Sequence, residues 1–170
     1  TLGERVEDTF LVDGPLLPEY PYQEGFSSFA QPSGLASDGQ WLYVADCEGS
    51  SIRAVPFSDN GKVKTIVGTS ALPFNRLFVF GDRDGVGPME MTVPEFEWRG
   101  RVSQTSGAAL QHCLGVVHHE GILYLADTYN DAIKMLDLET HECTTIAGGI
   151  TQKVEEWCPW NKSPDLFEGS

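Results

Sequence analysis

The stretch LQHCLGVVHHEGILYLADTYNDAIKMLDLETHECTTIAGG at residues 110–149 decides the fold, because it has an earlier counterpart in the chain. Its central phrase, Leu-Tyr-Leu-Ala-Asp at 123–127, repeats the Leu-Tyr-Val-Ala-Asp at 42–46. An offset of 81 residues superposes Gly34 on Gly115 and Arg53 on Lys134, and a one-residue slip then aligns 65–68 with 145–148. A recurring unit of about forty residues indicates a solenoid, a propeller or an array.

Each of the two units predicts four short strands joined by tight turns. Asp38-Gly39-Gln40 is a hairpin turn of the Asp-Gly kind, and the nearly continuous apolar run at 41–45 indicates a strand buried on both faces. Helix signals are nearly absent, so the fold class is all-β, with two four-stranded antiparallel propeller blades. The predicted strands are 34–37, 41–45, 51–57 and 63–67 in the first unit, and 114–118, 122–126, 132–137 and 142–146 in the second.

The repeat divides the chain into five segments. Residues 1–28 form a lead-in loop with a short strand at 9–12, before blade 1 at 29–69. The long connection at 70–109 carries an insertion. Its apolar run at 77–80 is a candidate strand or plug, 81–87 reads as a polar loop, and 93–102 as a short hairpin. Blade 2 occupies 110–149, and the tail at 150–170 has no strand prediction but could begin a further blade.

The acidic composition restricts the possible partners. The chain has 170 residues and a net charge of −14, from 11 Lys+Arg against 25 Asp+Glu. A nucleic-acid or anionic-membrane partner is therefore not expected, because phosphate groups need a basic footprint. The acidity is explained either by a solvated surface or by a basic partner. No apolar run is long enough to span a bilayer and no leader is visible, and the compartment is not predicted.

The four cysteines, Cys47, Cys113, Cys143 and Cys158, show neither a Cys-x-x-Cys pair nor metal-ligand spacing. All four are predicted to be free thiols. The sequence Trp157-Cys158-Pro159-Trp160 is similar to half of a thioredoxin active site. It lacks the second cysteine that the intramolecular disulfide requires, so redox catalysis by this chain is not expected.

The two units resemble NHL repeats, which are blades of a class of β-propeller. The resemblance rests on FAQPSGL at 29–35, VADCEGSSIR at 44–53, FGDRDGVG at 80–87, LQHCLGV at 110–116 and ADTYNDAIK at 126–134. It covers residues 11–149 and is least at 70–76 and 88–106. These phrases occur in the same order in a subfamily in which a thioredoxin-like domain precedes the propeller. Cys113 departs from the pattern, since the family usually has proline there, and the insertion around 90–107 is longer than the family norm.

Two blades do not complete a propeller. The apolar faces left open would cost several kcal/mol, at roughly 25 cal/mol per Å² of exposed apolar surface. Three completions are open: a longer protein, flanking segments that cap the blades, or a homo-oligomer that closes the ring. Three copies of two blades would give the six blades that the resemblance suggests.

No catalytic constellation and no cofactor site is predicted. Asp82 and Asp84, with Glu90 nearby, are weak candidates for calcium because later ligands of a calcium loop are missing. His112, His118 and His119 crowd the second repeat, but adjacent strand residues point to opposite faces and do not share a metal easily. Asp46 and Asp127 end the second strand of each unit and are expected to accept backbone N–H groups in the turn that follows.

The sequence therefore favours a non-catalytic module that binds a protein or peptide, or serves as a scaffold. The alternatives are a propeller fragment of a thioredoxin-like/NHL thiol-redox protein and a metal-dependent propeller lyase or hydrolase. The residues predicted to line the binding surface are Glu48, Arg53, Trp98, Arg99, Tyr129, Asn130 and Lys134.

Overall fold

Blade 1 is a four-stranded antiparallel sheet in which strands consecutive in sequence lie side by side. The computed structural model describes residues 29–58, 62–69, 79–91, 105–149 and 154–156. The strands are β1 at Pro32–Ser37, β2 at Trp41–Asp46, β3 at Ser51–Pro56 and β4 at Lys64–Gly68. All four lie where the sequence predicts them, because β-branched and aromatic residues alternate with Asp-Gly and Ser-rich turns.

The described part of the long connection contains four very short strands. They are β5 at Val79–Gly81, β6 at Gly85–Val86, β7 at Glu90–Met91 and β8 at Thr105–Ser106. Strands β7 and β8 pair with each other, so residues 92–104 leave and rejoin the fold through a common antiparallel stem. The predicted hairpin at 93–102 lies outside the described residues.

Blade 2 repeats the four-strand pattern and gains a fifth strand. It contains β9 at Cys113–His119, β10 at Ile122–Asp127, β11 at Ala132–Asp137 and β12 at Glu142–Gly148. Strand β6 pairs with the outer edge of β12, so the prediction of a polar loop throughout 81–87 is wrong at these two residues. The backbone there is extended because Glu142 and Cys143 offer it an unpaired edge.

Two smaller elements complete the described structure. Strand β13 at Val154–Glu156 pairs with β5 in a separate two-stranded sheet, although the sequence shows no strand signal in the tail. A single turn of 3-10 helix at Thr128–Asn130 joins β10 to β11. In the described part of the chain, no helix has the length and hydropathy that a membrane crossing requires.

One hydrophobic core joins the two blades. Blade 1 contributes one face of its sheet, which includes Tyr43, Ile52 and Val67, and blade 2 contributes Leu123 and Leu125 among others. Because side chains alternate across a strand, β2, β3 and β10 each contribute every second residue to this contact. The remaining members of the core are Ala45, Ala54, Ile66, Ala108, Leu110, Cys113, Val116, Leu136 and Cys143.

The first strands of the two blades approach most closely at a glycine. A Cβ atom on Gly34 would lie 2.7 Å from the carbonyl oxygen of Leu114 and 3.0 Å from the Cα of Gly115. The Ser33 hydroxyl donates to the same Leu114 carbonyl at 3.1 Å. A side chain at position 34 would therefore force β1 and β9 apart, which explains the glycine at this position of the first repeat.

Candidate functional site

In each blade, the aspartate that ends the second strand accepts backbone hydrogen bonds that hold the segment before the first strand. Oδ1 of Asp46 accepts the N–H groups of Ala30 and Gln31, both at 2.9 Å. Oδ1 of Asp127 accepts the N–H of Gln111 at 2.8 Å in the equivalent place. The predicted role as acceptor of backbone N–H groups is confirmed, but the predicted place of these bonds in the following turn is wrong, because the donors lie in the segment before the first strand. A bulge in the pairing of the first and second strands brings that segment within reach.

The two matched cations, Arg53 and Lys134, are fully buried. The Arg53 guanidinium lies 3.4 Å from the Asp46 carboxylate and 5.0 Å from the centroid of the Phe29 ring. The prediction that Arg53 and Lys134 line a partner surface is therefore wrong for both side chains. Their charges are used inside the blades, because a buried cation is stable only when it is paired.

Lys134 binds the two aspartates that were weak calcium candidates. Its Nζ donates to Asp82 at 2.8 Å, to Asp84 at 3.0 Å and to the Thr145 hydroxyl at 2.8 Å. Burial lowers the pKa of Lys134, but the bonds to both carboxylates outweigh burial and raise it overall. An ammonium group thus lies where a metal would have to bind. Glu90 is exposed on β7, and no three potential metal ligands converge among the described residues.

Asp127 is a buried carboxyl group whose pKa lies well above its ordinary value. Its burial raises the pKa to about 6, against the opposing effects of the bonds from Gln111 and Asn130 and of the Lys134 charge. The Asn130 amide donates both to Asp127 and to the Gly81 carbonyl at 2.7 Å, which links β5 to blade 2. Asp127 is therefore a structural group that titrates near neutral pH.

Replacing Asp127 with asparagine is expected to remove a pH-dependent contribution to the free energy of unfolding. Because the folded-state pKa of about 6 exceeds the unfolded value of about 3.9, the native state binds the proton more tightly. The contribution of Asp127 is largest below about pH 4 and is lost as pH rises to about 6, with a total near 2–3 kcal/mol. Urea denaturation from pH 4 to 8 measures the free energy of unfolding of the wild-type and Asp127→Asn proteins. The other carboxyl groups contribute equally to both proteins, so their contributions cancel in the difference. Parallel stability curves would contradict the assignment.

Four residues form a cluster at the seam between the blades, which we call the seam cluster: Glu48, Ser50, His112 and Tyr129. The His112 ring stacks on the Tyr129 ring, with centroids 4.2 Å apart and planes 13° apart. Nε2 of His112 lies 3.5 Å from the Glu48 carboxylate, and its backbone N–H donates to the Ser50 hydroxyl at 3.4 Å. The turn after β2 and the turn after β10 thus meet at one surface.

The seam cluster keeps two of the predicted surface residues. Tyr129 is 62% exposed and the Glu48 side chain 51% exposed. Asn130 is half-buried, and its amide serves the bonds to Asp127 and Gly81. Trp98 and Arg99 lie outside the described residues. No pattern in the sequence predicts that packing places His112 beside Glu48, which lies 64 residues earlier in the chain.

A shallow groove of about 510 Å³ lies at the opposite ends of the strands. The turns after β1, β9 and β11 line it, with the carboxylates of Asp38, Glu120, Asp137 and Glu139 around its rim. Asp38 already accepts the Tyr43 hydroxyl and two backbone N–H groups, and Asp137 accepts the N–H groups of Glu139 and Thr140. The carboxylates of Asp38 and Asp137 therefore stabilise the turns that follow β1 and β11.

The three described cysteines, Cys47, Cys113 and Cys143, are buried and free, as predicted, and Cys158 lies outside the described residues. Burial raises the pKa of Cys143 to about 12 and also raises the pKa values of Cys47 and Cys113. Because the thiolate is the nucleophile, these three thiols have very little nucleophilic form near neutral pH. They are core residues in the native protein.

The repeated phrase, the two blades and the shared core agree with comparisons to known proteins. The chain is 45% identical to NHL repeat-containing protein 2 of Bos taurus over 135 residues, which is 76% of this chain and 15% of that protein. Against the Homo sapiens protein of the same name the identity is 44% over 142 residues, or 79% of this chain and 16% of that one. The chain belongs to the NHL-repeat family.

A more distant relative carries a different name. Protein SUPPRESSOR OF QUENCHING 1, chloroplastic, of Arabidopsis thaliana is 39% identical over 125 residues, which is 72% of this chain and 10% of that protein. No family model matches the chain. The NHL chain spans about 15% of the length of the two mammalian relatives, and none of these relatives' names states an enzymatic activity.

Proposed function

We propose that this NHL chain is a non-catalytic protein-binding module whose partner contacts the seam cluster. The observation that carries the proposal is the Tyr129 ring, which is 62% exposed yet held against His112 at 4.2 Å. An exposed aromatic ring that is already ordered loses little conformational entropy on binding and is favoured as an interface anchor. Residues from both blades support it, so the surface exists only when the blades are packed together.

The charge of the chain supports a partner segment that carries arginine or lysine. Glu48 places a half-exposed carboxylate beside the Tyr129 ring, on a chain with a net charge of −14. A guanidinium group can stack on a tyrosine ring while it pairs with a nearby carboxylate. Electrostatic complementarity of this kind raises the association rate and discriminates against acidic partners.

Two other functions remain as alternatives for a longer protein that contains this chain. In a thiol-redox protein, a thioredoxin-like domain would supply the chemistry, since the buried cysteines described above are poor nucleophiles. In the encoding gene, a Trp-Cys-x-x-Cys domain before this segment would favour that alternative. A metal-dependent lyase or hydrolase would be revealed by metal analysis of the purified protein. Closure of a ring by several copies stays a prediction.

The seam proposal is tested with two labelled peptides of equal length, one rich in arginine and one rich in glutamate. We expect the arginine peptide to shift backbone amide resonances around Glu48, His112 and Tyr129. Tyr129→Ala is expected to weaken its binding at least about tenfold, which is 1.4 kcal/mol. Tyr124→Ala is the matched control, since Tyr124 is 37% exposed on the outer face of blade 2. Shifts spread over the whole acidic surface, or equal affinities for the two variants, would contradict the proposal.

A further inference from the structure

A single carboxylate holds both segments that carry the stacked rings of the seam cluster. Oδ1 of Asp127 accepts the backbone N–H of Gln111 at 2.8 Å, and Gln111 immediately precedes His112. Oδ2 of Asp127 accepts the side-chain amide of Asn130 at 2.7 Å, and Asn130 immediately follows Tyr129. Each ring therefore belongs to a residue whose chain neighbour is hydrogen-bonded to the same buried carboxylate.

The backbone around the ring pair depends on these bonds. The N–H of Tyr129 donates to the carbonyl of Gln111 at 3.2 Å, so the 3-10 turn is bonded to the segment before β9. His112 has φ of 49°, a left-handed conformation that a non-glycine residue keeps only where its surroundings impose it. The ring pair is therefore held by a few hydrogen bonds, of which Asp127 accepts two.

The repeat shows how blade 2 differs from blade 1 at this carboxylate. In blade 1, Asp46 lies 3.4 Å from the guanidinium of Arg53. The offset of 81 residues carries Arg53 onto Lys134, but the Lys134 ammonium binds two carboxylates of the long connection instead. The Lys134 charge lowers the pKa of Asp127 through space, without the close ion pair that blade 1 has. Asp127 is therefore the aspartate of the pair that is free to take up a proton.

The charged and titratable groups around Asp127 come from four elements. Burial raises the pKa of Asp127 to about 6, the ammonium of Lys134 on β11 opposes this rise, and Asp82 of the long connection adds to it. Cys113 on β9 and Cys143 on β12 are also close enough for the Asp127 charge to raise their pKa values. Both thiols and Lys134 keep their protons near neutral pH, because their pKa values are raised. Asp127 changes its charge there while these three neighbours do not.

A proton on Asp127 is incompatible with the observed hydrogen bonds. Protonation turns one oxygen of a carboxylate from an acceptor into a donor. The Asn130 nitrogen already directs its hydrogens to Oδ2 of Asp127 and to the Gly81 carbonyl. A proton on Oδ2 would face this donor, and turning the amide over would sacrifice the bond to Gly81. A proton on Oδ1 would face the N–H of Gln111, so either site costs one of the bonds that hold the seam.

We propose that Asp127 is the positioning residue of the seam cluster, and that its protonation releases the Tyr129 turn and weakens partner binding. This regulation rests on the proposed function of the seam cluster. Because the ordered seam requires the ionised carboxylate, affinity is full above the titration range and falls as pH drops through it. The contribution of Asp127 to global stability has the opposite sign, since the proton favours the folded chain over the unfolded one. A merely structural group would not weaken binding while it stabilises the fold.

NMR of the free chain tests the positioning role without any partner. Between pH 8 and pH 5, we expect the amide protons of Gln111 and of the Asn130 side chain to shift with a common midpoint of about 6. Over the same range, the backbone order parameter of Tyr129 should fall from about 0.85 to about 0.6. Both changes should be absent in Asp127→Asn. A Tyr129 turn that stays ordered at pH 5, or an unchanged titration in Asp127→Asn, would overturn the inference.

Asn130→Ala provides a second variant in which Asp127 itself is intact. It removes the bond between the carboxylate and the Tyr129 turn, while the bond from Gln111 remains. We expect Tyr129 to be as mobile at pH 8 in this variant as it is at pH 5 in the wild-type chain. The Gln111 amide proton should still titrate. An ordered Tyr129 in Asn130→Ala at pH 8 would count against the positioning role.

Binding of the arginine peptide separates this inference from the proposed function. We expect the wild-type chain to lose at least about fivefold in affinity between pH 8 and pH 5, since one hydrogen bond to a charged group is lost. Asp127→Asn should bind at pH 8 as weakly as the wild-type chain binds at pH 5. Equal affinities of the two proteins at pH 8 would overturn the inference and leave the proposed function standing. A Tyr129 turn that titrates in a chain that binds no arginine peptide would support the positioning role and overturn the proposed function.

Discussion

Replacing Lys134 with methionine is expected to lower the free energy of unfolding by about 3–5 kcal/mol, measured by urea denaturation. Lys134 has no exposed surface, and its ammonium group lies 2.8 Å from Asp82, whose side chain is only 2% exposed. Removing the cation would leave that carboxylate buried near Asp84 without the positive charge of Lys134. Such a charge costs much more than the lost attraction itself, because the interior does not solvate it as water does.

Two further variants test whether the loss of stability comes from the buried carboxylate of Asp82. Adding Asp82→Asn to Lys134→Met is expected to recover part of the stability, because the uncompensated charge disappears. Lys64→Met is the control, since Lys64 is exposed on β4, with its ammonium 5.4 Å from the Trp41 ring centroid. It should cost at most about 1 kcal/mol. Equal losses for the two lysine variants would sink the interpretation.

Replacing Gly68 with alanine is expected to cost about 3 kcal/mol or more, because two penalties combine. Gly68 has φ of +96°, which L-residues rarely adopt. A Cβ atom would also lie 2.1 Å from the Ser50 carbonyl oxygen and 2.6 Å from the Cα of Ser51. The repeat provides a replicate, since Gly148 has φ of +99° and its Cβ would lie 2.1 Å from the Asp131 carbonyl oxygen.

The control for the steric part is Gly39, which has a similar φ of +91° but no atom within 4 Å of its would-be Cβ. Gly39→Ala is expected to cost only the conformational penalty, about 1–2 kcal/mol. In thermal unfolding, the Gly68→Ala and Gly148→Ala variants should therefore have similar melting temperatures, and the Gly39→Ala variant should melt at a higher temperature. If Gly68→Ala were as stable as Gly39→Ala, the backbone at Ser50 and Ser51 would move aside without a loss of stability, and the steric argument would be wrong.

The eight blade strands follow from local sequence, which explains why they could be predicted. Alternating apolar residues such as Leu123 and Leu125, bounded by turns like Asp38-Gly39-Gln40, specify strands without reference to the rest of the chain. Because the sequence repeats, each blade strand is predicted twice, once in each unit. The same reasoning assigns Asp46 and Asp127 to backbone hydrogen bonds, which the structure confirms.

What the sequence could not supply depends on distant contacts. Lys134 is buried because the carboxylate of Asp82, 52 residues away in the part of the chain that does not repeat, meets its ammonium. A cation on a strand is ordinarily read as exposed, so the pattern placed it on the surface. Strands β6 and β13 have almost no propensity of their own and exist because β12 and β5 offer them an edge.

The stem formed by β7 and β8 has a consequence for how such a chain can vary. Pairing of Glu90 with Ser106 and of Met91 with Thr105 brings the two ends of the insertion together at a fixed place beside the blades. Once a loop is closed by its stem, doubling its length costs only about 0.6 kcal/mol of chain entropy. The segment at 92–104 is therefore a position where evolution or an engineer can lengthen, shorten or exchange sequence while both blades keep their register.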